Sequence, residues 1–210
     1  MITTGPTYEK IDPVRFIGNF SSGKMGFSIA EKLADEGALV TLISGPSACQ
    51  TTHPNIHRID VVSAKEMYEA SIEHFPNCDG AIMTAAVADF TPLNPVDAKV
   101  KREKSNYTIE LTPTKDIAAS LGKIKSEKQF LVGFALETND EEQNAQLKLE
   151  KKNLDLIVLN SLNDSGAGFQ HDTNKITIFS RSGQAKAFDL KTKKEVAADI
   201  VDALILNQNF

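Results

Sequence analysis

The stretch "DPVRFIGNFSSGKMGFSIAEKLADEGALVTLIS", residues 12–44, is central to predicting the fold because it runs from a long polar loop through a helix into a buried strand. Three apolar side chains of the helix recur at helical spacing and share one face: Met25, Ile29 and Leu33. We expect Ser21 or Ser22 to cap this helix and Gly37 to end it. The run "ALVTLIS" then predicts a buried strand that Gly45 and Pro46 end.

The same alternation of strand and helix patterns continues along the chain. The predicted strands are 1–4, 38–44, 56–62, 80–85, 106–111, 129–136, 154–160, 175–180 and 185–190. Further helices are predicted over 63–75, from about 115, over 139–153 and from 192, and "SAKE" and "TKKE" have the spacing of capping boxes. This order predicts a Rossmann-like, doubly wound α/β fold with a mostly parallel sheet and helices on both faces.

Composition excludes several classes of protein. The 210 residues are 41% hydrophobic and 24% charged, so we expect a single globular domain over residues 1–210. The net charge of −5 argues against general nucleic-acid binding. No apolar run is long enough to span a membrane and no signal segment is evident, so a cytoplasmic protein with two reduced cysteines is expected.

The segment "GNFSSGKM", Gly18 to Met25, is close to a phosphate-binding P-loop. It lies well beyond the first strand, however, and Met25 cannot hold magnesium as Ser or Thr would. A Rossmann fingerprint is also missing, because "GPTYEK" after the first strand is not GxGxxG. The stretch is therefore interpreted either as a capped helix packed closely through glycine or as an anion site at a helix N-terminus.

Two further segments favour a binding site. "TAAVADFTP" ends a buried strand with small residues, which allow close approach to a flat ring, and carries Asp89 into the following loop. "KVKR" places Lys99 and Lys101 on one side of an extended segment, where either could neutralise phosphate. Taken singly, the first segment is about equally typical of a packing turn of small residues, and the basic second segment is more often a solvated face than a binding site.

Taken together and in order, the motifs resemble the phosphopantothenoylcysteine synthetase family, the ligases of coenzyme A biosynthesis. The segments that carry the resemblance cover nearly the whole chain: "DPVRFIGNFSSGKMG", "AAVADFTP", "KVKR", "KDI", "VGFALETN" and the Lys-rich helix before "NLDLIVLN". The family's usual run is close to "DPVRxISNxSSGKMG", "AAVADYRP", "KIKK", "NPDI" and "VGFAAET". The resemblance implies the free-standing or excised form of the synthetase, without the flavin-dependent decarboxylase, so no flavin is expected.

The resemblance implies a reaction between two anionic partners. CTP activates the carboxylate of 4′-phosphopantothenate as an acyl-cytidylate with release of pyrophosphate, and cysteine then displaces CMP to form an amide. Magnesium is the expected cofactor. A homodimer is expected, with "NYTIEL" (106–111) near the interface and sites shared between chains, and the resemblance allows a separate phosphopantothenoylcysteine decarboxylase as a partner.

By motif match, Asn19 acts in the acyl-nucleotide step and Lys99 contacts the nucleotide phosphates, so both are expected to be catalytic. Asp89 is expected beside the nucleotide, holding magnesium. The other expected nucleotide-binding residues are Ala85, Lys115, Asp116, Ile117, Ala118, Phe134, Lys148 and Lys152. The expected substrate-binding residues besides Asn19 are Gly18, Ser21, Ser22, Gly23, Lys24 and Ala86, and the loop of Gly18 to Gly26 is expected to hold phosphopantothenate and its acyl group.

The chain departs from the family's usual motifs at a few positions. Residues that differ from the family's usual ones are Gly18, Thr114, Lys115, Arg102 and Leu136. The change at Thr114 and Lys115 bears on base preference, because this segment is expected to meet cytidine mainly through its backbone. Two alternatives stay open, a nicotinamide-dependent oxidoreductase on a Rossmann sheet and a non-catalytic nucleotide-binding module.

Overall fold

A computed structural model describes residues 1–102, 106–137, 141–161 and 171–206. The described part contains five α-helices: α1 (Lys24–Asp35), α2 (Ala64–His74), α3 (Ile117–Ile124), α4 (Glu141–Lys151) and α5 (Lys193–Leu206). The strands are β1 (Ile2–Thr4), β2 (Tyr8–Lys10), β3 (Phe16–Gly18), β4 (Val40–Ser44), β5 (Ile56–Asp60), β6 (Gly80–Met83), β7 (Phe90–Pro92), β8 (Leu111–Pro113), β9 (Phe130–Glu137), β10 (Leu156–Ser161), β11 (Thr173–Asn174), β12 (Ile176–Ser180), β13 (Ala185–Ala187) and β14 (Lys191–Thr192).

An eight-stranded sheet carries the fold, in the order β13-β12-β10-β9-β6-β1-β4-β5. The six strands from β10 to β5 are parallel, and β12 and β13 add an antiparallel edge. This is the doubly wound arrangement that the sequence predicted. Because β1 and β6 lead away to opposite halves of the sheet, the crevice between their carboxyl ends is the topological switch point where such folds bind ligands.

Helices cover both faces of the sheet. On one face α1 and α5 pack on the sheet, and the predicted line of Val196, Ile200 and Leu204 is buried there. On the other face α2, α3 and α4 enclose a second apolar cluster around Phe75 and Leu121. Successive residues of the parallel strands point to opposite faces of the sheet. A continuous apolar run such as "LIVL" in β10 therefore contributes side chains to both clusters.

The helix boundaries confirm most of the predictions. Ser63 and Glu66 form the predicted capping box of α2, and Thr192 and Glu195 exchange the corresponding hydrogen bonds at the start of α5. Gly37, with φ of +92°, ends α1 as predicted. The predicted cap of α1 is wrong, because Gly23 occupies the N-cap with φ of +81° and no side chain caps it.

Two predictions about the connecting segments are also wrong. The connection after β1 contains an antiparallel pair, β2 with β3, whose three-residue strands are too short to give a sequence signal. The predicted strand 106–111 does not form over 106–110; only Leu111 joins a strand, β8, which pairs with β7. Tyr107 is 54% exposed and Leu111 is 43% exposed, so the apolar residues of this alternating pattern are not packed into the core formed by the described residues.

No helix in the described residues is both long and apolar enough to cross a membrane.

Candidate functional site

The loops that follow β1 and β6 lie side by side at the switch point. Pro6 and Ala86 form an isolated parallel bridge, and the Ala86 amide donates to the Gly5 carbonyl at 2.9 Å. The amide of Ala88 donates to Thr7 Oγ1 at 2.9 Å, which extends the contact. These hydrogen bonds fix the small residues that follow β6, Ala85 to Ala88. We call the surface they form the floor of the site, because a ligand can lie against it.

The N-terminus of α1 approaches this floor closely. Thr4 Oγ1 donates to the Gly23 carbonyl at 2.8 Å, which ties the start of the helix to the end of β1. A Cβ atom on Gly26 would stand 2.3 Å from Thr4 Oγ1 and 2.4 Å from Thr84 Oγ1. The absence of a side chain at Gly26 therefore allows α1 to approach the sheet closely. As a result, the amides of the first helical turn, with their partial positive charge, lie next to the switch point.

The first cavity, of about 440 Å³, opens between the loop after β6, the start of α3 and the end of α4. Every residue expected to bind nucleotide except Lys99 lines it: Ala85, Asp89, Lys115–Ala118, Phe134, Lys148 and Lys152. Its volume lies in the range of small-molecule sites. The structure thus gathers residues that the sequence separates by more than 60 positions, and their role in binding stays a prediction.

Charged side chains in the first cavity hold one another in place. Asp116 caps α3 by accepting from the Ala119 amide at 3.0 Å, and Lys152 Nζ lies 2.9 Å from Asp116 Oδ2. Burial raises the pKa of Asp116, but these two hydrogen bonds and the charges of Lys152 and Lys151 together outweigh burial and keep the pKa below its usual value. Lys115 Nζ lies 4.4 Å from the Tyr68 ring centroid, which leaves mainly its backbone to contact a ligand.

Asp89 lines the first cavity with its side chain exposed. Its carbonyl accepts from the Thr114 amide at 2.9 Å, which positions the loop. Among the described residues the structure brings together no cluster of three or more His, Cys, Asp or Glu side chains fit to hold a metal. One carboxylate completed by substrate phosphates is nevertheless a common way for a protein to hold magnesium, so Asp89 fits the expected role.

The second cavity, of about 160 Å³, lies beside the N-terminus of α1. The expected substrate-binding residues Ser21, Ser22, Gly23, Lys24 and Ala86 line it. Ala85, Ala86, Phe134 and Leu136 line both cavities, so the two are adjoining parts of one crevice.

Asn19 lies at the junction of the two cavities. It lines the first cavity, and its Nδ2 donates to the carbonyl of Ala86, a residue of both cavities, at 2.8 Å. Two expected site residues lie elsewhere. Gly18 pairs with Tyr8 in the β2–β3 pair, and Lys99 is exposed and lines neither cavity.

Besides Thr4 and Thr84, sequence reasoning missed three residues of the second cavity with amide or ammonium side chains, namely Asn160, Asn174 and Lys193. All three are buried. Asn160 follows directly on the apolar run of β10, and a polar residue at the carboxyl end of a buried parallel strand was the available signal. Asn174 and Lys193 gave no such signal, because they belong to β11 and to the first turn of α5, which reach the cavity only through tertiary packing.

Asp12 is a further residue whose role the sequence did not indicate. Its buried carboxylate accepts hydrogen bonds from the amides of Val14, Arg15 and Val100 and pairs with the Arg15 guanidinium. The hydrogen bond from the Arg15 side chain, helped by the three backbone amides, holds the pKa of Asp12 well below its usual range against the opposing effect of burial. This network ties the loop between β2 and β3 to the segment that carries Lys99.

Comparisons with known proteins agree with this architecture. Residues 1–207 match the family model described as the DNA/pantothenate metabolism flavoprotein C-terminal domain. The chain is 57% identical over 204 residues to a protein named cysteine/cysteine sulfinic acid decarboxylase from an unknown prokaryotic organism; the match covers 97% of this chain and 57% of that protein. It is 46% identical over 204 residues to the coenzyme A biosynthesis bifunctional protein CoaBC of Bacillus subtilis (strain 168), covering 97% of this chain and 50% of that protein.

A solved structure gives the same result. The crystal structure of the C-terminal domain of a coenzyme A biosynthesis bifunctional protein CoaBC is 44% identical, with a TM-score of 0.80, and the match covers 97% of this chain and 91% of that chain. This chain spans about half the length of the curated relatives it matches.

Proposed function

The chain belongs to the DNA/pantothenate metabolism flavoprotein C-terminal domain family, and on this premise we propose that it joins 4′-phosphopantothenate to cysteine at the expense of CTP. The observation that carries the proposal is the crevice at the switch point. A cavity of nucleotide-binding size adjoins a smaller cavity at the N-terminus of α1, and Asn19 lies where they meet. Such a crevice suits two ligands that must react with each other.

In the proposed first step, a carboxylate oxygen of 4′-phosphopantothenate attacks the α-phosphorus of CTP. The bond from this phosphorus to the bridging oxygen breaks, and pyrophosphate leaves with the electron pair. Lys148 and Lys152 line the same cavity one helical turn apart, where their charges would lie beside the phosphates. Magnesium, held by Asp89 and the phosphates, would supply further neutralising charge.

In the proposed second step, the neutral amine of cysteine attacks the acyl carbon of the acyl-cytidylate. The carbon–nitrogen bond forms, the bond from that carbon to the phosphate oxygen breaks, and CMP leaves with the electron pair. The former ammonium gives up two protons in becoming an amide nitrogen. Asn19 faces this junction with an amide group already oriented by the Ala86 carbonyl, so it is placed to position the acyl group or the amine. Neither step transfers electrons to a redox centre, so the reaction requires no flavin.

Recognition of cytosine is assigned to the start of α3. The side chain of Asp116 is occupied by the Ala119 amide and Lys152, and that of Lys115 lies over Tyr68. The backbone groups of 115–118 therefore remain to form hydrogen bonds with the edge of the cytosine ring. Phe134 lines the same cavity. Backbone recognition would explain why this segment can depart from the family's usual residues.

A homodimer is proposed on the basis of an apolar surface, defined as the exposed apolar side chains of the two small strand pairs and their flanks: Val14, Phe16, Phe90, Leu93, Tyr107 and Leu111. The two pairs contact each other through β2 and β7. Exposed apolar side chains grouped in this way are typical of an interface. Lys99 belongs to the segment beside this surface, so we assign its phosphate contact to the neighbouring protomer's first cavity.

The test is an assay of the full chain with phosphopantothenate, L-cysteine and each of four nucleoside triphosphates, followed by mass spectrometry. We expect an amide product, CMP and pyrophosphate in the CTP reaction. Turnover of phosphopantothenate without nucleotide would contradict the proposal. Release of CO₂ from cysteine would favour the decarboxylase named among the relatives, and NADPH binding would favour an oxidoreductase. Nucleotide binding without any product would favour a non-catalytic module.

A further inference from the structure

The second cavity contains a buried polar atom that its surroundings do not satisfy. Asn160 is 9% exposed, and its Nδ2 donates to Asn174 Oδ1 at 3.3 Å. Within the described residues, Asn160 Oδ1 is the one buried side-chain oxygen or nitrogen that lacks a hydrogen-bond partner. A buried acceptor without a donor is costly, so such an atom at a cavity points to a ligand that brings the donor.

The orientation of the Asn174 amide determines which atom of the Asn160 amide lacks a hydrogen-bond partner. Asn174 is 4% exposed, and its Nδ2 lies 3.7 Å from Met25 Sδ, a weak acceptor in the first turn of α1. Its Oδ1 therefore turns toward Asn160 and accepts from the Asn160 NH₂ group. This chain of contacts presents an acceptor, rather than a donor, to the second cavity.

The second cavity also has a cationic lining. Lys193 is 6% exposed and its Nζ donates to the His171 carbonyl at 2.6 Å, while Lys24, which also lines the cavity, pairs with Asp172. Burial lowers the pKa of Lys193, and the charge of Lys24 lowers it further. The first-turn amides of α1 add partial positive charge to this lining. A ligand that satisfies both Asn160 Oδ1 and the cationic lining carries a hydrogen-bond donor and an anionic group.

The size of the second cavity limits that ligand. About 160 Å³ is well below the ~300–1,000 Å³ of sites that enclose drug-sized ligands, so neither a nucleotide nor phosphopantothenate fits as a whole. A small amino acid does, and its ammonium and carboxylate are the required donor and anion. A phosphate group would satisfy the cationic lining but would place acceptor oxygens against Asn160 Oδ1.

We propose that the second cavity is the subsite for the amino-acid substrate, with Asn160 Oδ1 accepting from its ammonium and with Lys193 and the N-terminus of α1 facing its carboxylate. This inference rests on the proposed ligase function and deepens it. It assigns the loop of Ser21 to Lys24, which the sequence resemblance gave to phosphopantothenate, to the amino acid instead. Through Ala85 and Ala86 the subsite adjoins the cavity where the acyl-nucleotide would form. The bound amine would then lie close to the junction at which Asn19 is held.

The first test needs no variant. L-cysteine is titrated into the full chain with CTP present and phosphopantothenate absent, while side-chain amide resonances are followed by NMR. We expect those of Asn160 and Asn174 to shift and that of the exposed Asn77, at the opposite end of the sheet, to stay in place. Shifts of Asn160 that appear with CTP or phosphopantothenate but not with cysteine would overturn the assignment.

The second test separates binding from chemistry by kinetics. Asn160→Ala is expected to raise KM for L-cysteine about tenfold, the effect of one lost hydrogen bond to a charged group, with a far smaller effect on KM for CTP. Lys193→Gln should reduce the preference for cysteine over cysteamine, which lacks the carboxylate. Asn77→Ala serves as the matched control. An unchanged cysteine KM in a folded Asn160→Ala protein would sink the inference.

Failure of the amino-acid subsite can be distinguished from failure of the proposed ligase function. Pyrophosphate release from CTP and phosphopantothenate without cysteine tests only the activation step. If that step occurs and neither cysteine result appears, the ligase proposal stands and the subsite is wrong. If pyrophosphate is not released, the ligase proposal itself is wrong.

Discussion

The Asp12 carboxylate accepts a hydrogen bond from the Val100 amide, with 3.1 Å between Oδ2 and N, across 88 positions of the chain. The same carboxylate holds Arg15, whose guanidinium donates to the Val100 carbonyl at 2.8 Å. Two backbone groups of Val100 are thereby fixed on a segment without regular secondary structure. Lys99, the residue before it, is positioned through this network.

We expect Asp12→Asn to release this segment. An amide cannot replace a carboxylate that accepts from three backbone amides and a guanidinium, so hydrogen exchange at Val14, Arg15 and Val100 should accelerate together. Asp97→Asn, which removes only the exposed ion pair with Lys10, is the matched control and should leave this exchange nearly unchanged. Equal exchange in both variants would contradict the role of Asp12.

The same network has a predicted pH dependence. Because the pKa of Asp12 is depressed in the folded protein, its stabilisation is present above the unfolded value near 3.9 and is lost as pH falls through the lower folded value. The amide chemical shift of Val100 should therefore show no inflection as pH falls from 7 to about 3, below the ordinary aspartate pKa. An inflection near the ordinary aspartate pKa would show that the carboxylate is not held as described.

Lys152→Gln is expected to weaken CTP binding about tenfold, which corresponds to about 1.4 kcal/mol. Lys152 Nζ lies in the first cavity beside Asp116 Oδ2, so its loss removes a phosphate contact and one of the groups that orient Asp116. Lys151→Gln removes the same charge from an exposed neighbour outside this cavity and should have little effect. Isothermal titration with CTP measures both, and equal losses would indicate a general charge effect.

Asn19→Asp is expected to slow amide formation more than acyl-nucleotide formation, by about 10²-fold if a positioned donor is lost from the transition state. The aspartate also cannot donate to the Ala86 carbonyl, so the orienting hydrogen bond disappears. In a single-turnover reaction the acyl-nucleotide should therefore accumulate, as seen by quenched mass spectrometry. Asn77→Asp is the control, and an Asn19 variant that never accumulates the intermediate would lose this assignment.

Replacing Leu93 and Leu111 by glutamate should convert the proposed dimer to monomers in sedimentation equilibrium. Both side chains belong to the apolar surface, at 47% and 43% exposure, and a buried unpaired charge in an interface costs several kcal/mol. Leu39→Glu changes a more exposed leucine at the opposite end of the sheet and should leave association unaffected. A wild-type chain that is monomeric at micromolar concentration would refute the proposed homodimer.

The sequence alone determined the layers of this fold and most of the first cavity. Periodic patterns, capping boxes and Gly37 act locally, so strands β1, β4, β5, β6, β9, β10 and β12 and all five helices could be predicted from their own residues. Motif resemblance indicated the lining of the first cavity, because those residues follow strands whose order along the chain already places their carboxyl ends at one edge.

Only the tertiary structure decided the second cavity and the positioning of the loops. Asn160, Asn174 and Lys193 come from three elements, and their shared surroundings arise from packing of α5 against α1 rather than from spacing. The N-cap of α1 is likewise Gly23 rather than serine, because the backbone there has φ of +81° and a Cβ atom would stand 2.9 Å from Ser47 Oγ. Local propensity acts within about one turn or strand, whereas these sites depend on groups from distant parts of the chain that meet only after the sheet has formed.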